Sequence, residues 1–147
     1  MGFFDSLFGT SNEVTGFNPQ EAFAGILLGA SACDGHIAED EVQGLVTCLV
    51  RMELFRRFTG RQFNQTLNKL AGYMKRKGVD ELIDACVEAL PEELDNTAFA
   101  NACDIILADG VVEPDEKDFI DRLQRKLEIP QETAKMIAEI MVIKNKG

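Results

Sequence analysis

The sequence predicts an all-α, single-domain bundle of about seven helices, built from two pseudo-symmetric helical repeats. Three observations lead there. Apolar residues recur at three- and four-residue spacing, and almost no stretch alternates with the period of two that a strand needs. Prolines and glycines fall where helices start and stop, leaving short connections. An acidic segment, Asp34-Gly35-His36-Ile37-Ala38-Glu39-Asp40-Glu41, returns 75 residues later as Asp109-Gly110-Val111-Val112-Glu113-Pro114-Asp115-Glu116.

Residues 1–16 read as an apolar arm and linker. Phe3, Phe4, Leu7 and Phe8 fall on one face of a short helix, which suits an arm lying on the core or in a membrane interface. The helical domain spans residues 17–147, with repeat halves of roughly 17–88 and 89–147. Asn18-Pro19 caps and opens the first helix, whose apolar residues Phe23, Ile26, Leu27 and Ala30 run to Cys33. Gly35 ends it. The next runs from Ala38 to about Glu53 on Val42, Leu45, Val46, Leu49 and Met52. Thr59 and Gln62 form a capping box for a long basic helix through Phe63, Leu67, Leu70 and Met74, which Gly78 stops. A helix from Asp80 to about Leu90 follows, and after Pro91 another carries Leu94, Ala98, Ala102, Ile105 and Ile106. Pro114 and Pro130 open the last two. The 75-residue shift also lays Leu45 on Ile120, Cys48 on Leu123 and Met52 on Leu127, the predicted core stripe of both halves.

The 147 residues carry a net charge of −10, unlike the basic surface of a general nucleic-acid binder. The charge is uneven. Between Arg51 and Lys77 eight basic residues face one acid, Glu53, which leaves the remainder strongly negative. That polarity suits docking to a charged partner, with Arg51, Arg56, Arg57 and Arg61 as the contact residues. A solvated helix face is the commoner fate of such charges. No apolar run reaches the roughly 20 residues of a membrane span, and no secretory leader is visible, so a cytoplasmic location is expected. Cys33, Cys48, Cys86 and Cys103 form no C-x-x-C pair and read as small, mostly buried thiols. No Ser–His–acid arrangement, P-loop or dinucleotide fingerprint is present, so the chain is expected not to be an enzyme.

The acidic turns admit two readings. Asp-Gly after a helix suits a left-handed cap, and Glu41 and Glu116 would lie in the first turn of the next helix, where free N–H groups favour carboxylates. That reading needs no ligand. The other starts from the likeness to the later half of a calcium loop, D-G-x-I-x-x-x-E. The earlier ligand positions of such a loop hold Ala30 and Ala32 in one copy and Ile105 and Leu107 in the other, which excludes a complete EF-hand. A cation would then have to gather ligands from elsewhere, for instance Asp104, Asp40, Asp115 or the opposite repeat, and oxygen ligands favour Ca²⁺, Mg²⁺ or Mn²⁺ over zinc. Cys33 and His36 flank the first turn but have no second pair to complete a zinc site.

The twin turns, residues 32–41 and 108–116, together with the Phe-Phe-Asp start and the long basic helix between them, resemble the TerB-like tellurite-resistance proteins. The resemblance covers about residues 3–145. It implies an all-helical, non-enzymatic bacterial protein linked to tellurite and other stress responses. It further implies divalent-metal binding at Asp34, Glu41, Asp109 and Glu116, with Asp104 as an addition, and protein partners at the cytoplasmic face of the inner membrane. The competing expectation is a metal-independent protein–protein or membrane-surface module whose acidic turns are only caps.

Overall fold

A computed structural model describes residues 16–33, 37–108 and 110–146. Seven α-helices follow in order: α1 (Pro19–Ser31), α2 (Glu39–Val50), α3 (Gly60–Lys77), α4 (Val79–Ala89), α5 (Asp95–Leu107), α6 (Pro114–Lys126) and α7 (Gln131–Lys144). Short 3₁₀ turns at Glu53–Phe55 and Glu92–Leu94 precede α3 and α5. Among the described residues there is no strand. The all-α prediction holds.

The arrangement follows from α1. Every residue from Ala22 to Ala30 is buried, so this helix has no solvent face and sits at the centre of the bundle. Five other helices, α2 to α6, pack around it, while α7 lies along α5. Small residues allow that crowding. A Cβ placed on Gly25 would stand 2.3 Å from Cys86 Sγ, and one on Gly29 would stand 2.7 Å from Ile83 Cδ1, both on α4. Glycine at these two positions lets α4 approach the central helix closely.

The surrounding helices are amphipathic and each buries one stripe. Phe63, Leu67 and Leu70 of α3 turn inward, and Phe55, Phe58 and Phe63 form an aromatic group beside Phe23. Asp80 and Asp84 of α4 pair with Arg122 and Lys126 of α6, a two-rung ladder at i, i+4 on both helices. The buried residues form one connected core, as a single domain requires.

Helix starts obey their local signals. Asn18 Oδ1 accepts from Glu21 N–H at 2.7 Å while Glu21 accepts from Asn18 N–H at 3.0 Å, and Thr59 and Gln62 make the same reciprocal pair. Gly78 closes α3 with φ +94°. Several boundaries differ from the sequence expectation. Helix α2 ends at Val50 instead of running to Glu53, α4 starts at Val79 and ends at Ala89, and a 3₁₀ turn stands between Pro91 and α5.

The predicted repeat divides into two periods. Caps and helix starts recur at 75 residues, Glu41 with Glu116 and Glu39 with Pro114. Burial recurs at 74: Leu45 and Leu49 of α2 correspond to Phe119 and Leu123 of α6. The expected pairs Leu45/Ile120, Cys48/Leu123 and Met52/Leu127 each match a buried residue with a half-buried one. One residue is about 100° of helical rotation, so α2 and α6 turn different faces inward relative to their caps. Pseudo-symmetry of the halves is not confirmed.

Candidate functional site: the acidic turns and the basic face

Asp34, Gly35, His36 and Asp109, and with them the predicted ligands Asp34 and Asp109, lie outside the described residues. Ser31, at the end of α1, and Ala108, directly before Asp109, line one cavity of about 420 Å³. Glu41 and Cys48 of α2, Asp104 of α5, and Lys144 and Asn145 at the end of α7 line it too. Ser31 and Ala108, which precede the two Asp-Gly segments in sequence, thus line the same cavity. Two of the predicted carboxylates, Glu41 and Asp104, share it. Glu116 is half-buried on α6 and is not among the residues that line it.

Each described carboxylate already has a protein partner. Glu41 Oε1 accepts from the Ala38 N–H at 3.0 Å, and Glu116 Oε1 accepts from the Glu113 N–H at 2.9 Å. Each supplies half of a capping box; Ala38 has no side-chain oxygen to complete it at α2. Asp104 accepts from Asn145 Nδ2 at 2.7 Å, and Lys144 Nζ stands 3.2 Å from both of its oxygens. Lys144 thus already neutralises Asp104, a partner that sequence spacing did not reveal across 40 residues. Among the described residues no three His, Cys, Asp or Glu side chains gather as a metal-binding group. Glu41 and Asp104 are oxygen donors of the type that suits a hard cation, and two such side chains are too few to hold one.

Three of the four thiols are held back from ionising. Cys48 donates to Asn101 Oδ1 at 3.5 Å, and burial, aided by Asp104, raises its pKa above the ordinary thiol value. Burial pushes Cys86 and Cys103 up to about 12, which keeps both protonated and non-nucleophilic.

The basic candidates lie elsewhere. Arg51, Arg56, Arg57 and Arg61 are all exposed. Arg56 pairs with Glu53 at 3.2 Å, both well solvated; among the described residues Arg51, Arg57 and Arg61 form no ion pair. Arg56 and Arg57 border a cavity of about 250 Å³ with Gln20, Leu54, Phe58 and Gln62. These cations gain nothing from the helix they precede. The N-terminus of α3 is the positive end of its dipole, and α3 is the one described α-helix without an acid in its first turn.

One acidic cluster escaped sequence reasoning. Glu92, Glu93, Asp95 and Glu128 line a cavity of about 550 Å³ where α5 starts and α6 ends, and Glu128 holds φ +55°. Burial first, then Glu92 and Glu128, raises the Asp95 pKa above the ordinary carboxyl value. The adjacency of Glu92, Glu93 and Asp95 was a visible signal; the approach of Glu128 was not.

The family model described as "Tellurite resistance protein TerB" matches residues 20–139. The chain belongs to the TerB family. That span includes every predicted acidic position and all four arginines, and it confirms the resemblance drawn from the twin turns. Comparison of this TerB-family chain with curated proteins and with solved structures finds no match. No described helix is long and apolar enough to cross a membrane.

Proposed function

We propose that this TerB-family chain is a non-enzymatic, tellurite-resistance-associated stress-response protein of the cytoplasm. It binds a divalent cation at its paired Asp-Gly turns and docks partner proteins through Arg51, Arg56, Arg57 and Arg61. The observation that carries the metal reading is the shared cavity, lined by Ser31 and Ala108 ahead of the two Asp-Gly segments in sequence and holding Glu41 and Asp104. Asp34, Glu41, Asp104 and Asp109 would hold the ion, with Glu116 left as a cap. Ca²⁺, Mg²⁺ or Mn²⁺ suits such oxygens better than zinc. A bound cation supplies positive charge that ties α1, α2 and α5 together at one end of the bundle.

Thermal melting with and without each ion tests this. Binding to the folded state alone stabilises by about 2.7 kcal/mol at a hundredfold excess over Kd, worth several degrees in a domain of this size. Asp109→Asn with Glu41→Gln should abolish the shift. Lys144→Met should enlarge it, because the ammonium competes for Asp104. A melting curve that no ion moves removes the metal from the proposal.

Specific observations favour the second reading, in which the turns are only caps: the bonds of Glu41 and Glu116 to their own helix starts, and the Lys144 ion pair. Under it, Glu41→Gln costs the same stability in chelator as in any ion.

A further inference from the structure

We propose that this chain pairs with a second copy of itself through α7, the two helices running antiparallel with Ile140 at the two-fold axis. The pairing depends neither on the cation nor on the arginines.

Helix α7 is apolar on two sides. Ala134, Ile137, Ala138 and Met141 pack against the core, where the helix lies along α5. Met136, Ile140 and Ile143 face away from it and are 59 %, 52 % and 69 % exposed. At about 100° per residue these three fall within about 60° of one another, so they form one outward stripe. An ordinary surface helix turns charge to water on that side. Helix α6 does so, exposing Asp115, Lys117, Asp118, Asp121 and Arg125.

The charges around the stripe select a second copy as its cover. Glu132 stands before the stripe and Lys146 after it, and neither makes an ion pair among the described residues. Turned end for end, a second α7 sets Met136 against Ile143, Ile140 against Ile140, and Glu132 against Lys146. All three pairings share one register. A parallel copy would instead lay like charge on like at both ends. The chain as a whole carries −10, yet α7 holds two acids and two lysines and is neutral, so copies can meet here without mutual repulsion. Glu139 does meet its own copy near the axis; Lys135, one turn earlier on the same helix, offsets part of that charge. One helix of 14 residues, about 21 Å long, offers less than the roughly 800 Å² per partner of a stable dimer. Association is therefore weak and depends on concentration.

Sedimentation of the full chain in chelator, over a range of concentrations at physiological salt, tests this. The wild type should climb from the monomer toward the dimer mass. Ile140→Asp should weaken association at least tenfold while keeping the helical circular dichroism. Val50→Asp, at a comparably exposed apolar residue on α2, should leave it unchanged. Glu132→Lys should weaken it, Glu132→Lys/Lys146→Glu should restore it, and Glu139→Gln should tighten it. A wild type that stays monomeric up to about 1 mM overturns the proposal. Association that survives Ile140→Asp, or that Glu132→Lys/Lys146→Glu fails to restore, overturns it as well.

Discussion

Gly25 shows how much one absent methyl group decides. A Cβ there would meet Cys86 Sγ at 2.3 Å and Leu70 Cδ2 at 3.1 Å, both fixed in the core. Gly25→Ala should cost about 1–3 kcal/mol as overpacking, read by urea unfolding. Adding Cys86→Ala should recover part of that loss. Gly29→Ala should cost less, since its obstacle is the flexible tip of Ile83. Asp95 makes a second case. Its folded pKa is raised, so it favours the fold when protonated and opposes it once ionised. Asp95→Asn should melt higher than wild type at neutral pH, and the gap should close as the pH drops below the ordinary carboxyl range. Neither residue drew attention in the sequence. Glycine inside an apolar run announces close approach only when the facing helix is known, and a carboxyl's environment depends on Glu128, far along the chain.

Helix starts were the most legible features, because capping is local chemistry. Asn18-Pro19, the Thr59/Gln62 box, Pro114 and Pro130 all mark observed starts, and Gly78 an observed stop. Helix α2 is the instructive exception. Its N-cap is Ala38, already at φ −85° and ψ 155°, with Glu41 bonded back to its N–H but no oxygen to return the bond. Ala38→Ser should complete the box and raise stability by about 0.5–1 kcal/mol, while Glu41→Ala should lose about 1 kcal/mol. The face a helix buries was less legible. The caps of α2 and α6 repeat at one spacing and their inward residues at another, because burial answers to the neighbours of each helix. In α1 the stripe of Phe23, Ile26, Leu27 and Ala30 was expected, whereas the structure buries all of Ala22 to Ala30. The absence of any polar side chain from Ala22 to Ala30 was the signal for that complete enclosure.

Across the whole molecule, charge is sorted by place. Anionic side chains gather at helix starts and around two cavities, while exposed arginines surround the approach to α3. The acidic turns were legible as a pattern, and the structure adds that Glu41 and Asp104 share one cavity while Glu116 does not line it. The Lys144 pairing was invisible, since nothing local links residues 40 apart. The central position of α1 has a consequence for synthesis. This greasy rod is among the first parts of the domain to leave the ribosome, yet α5, which covers one flank, is finished only at Leu107. At roughly 5–20 residues per second the nascent chain must shelter it for several seconds. A stalled chain ending before α5 should accordingly recruit chaperones that one released after α6 does not.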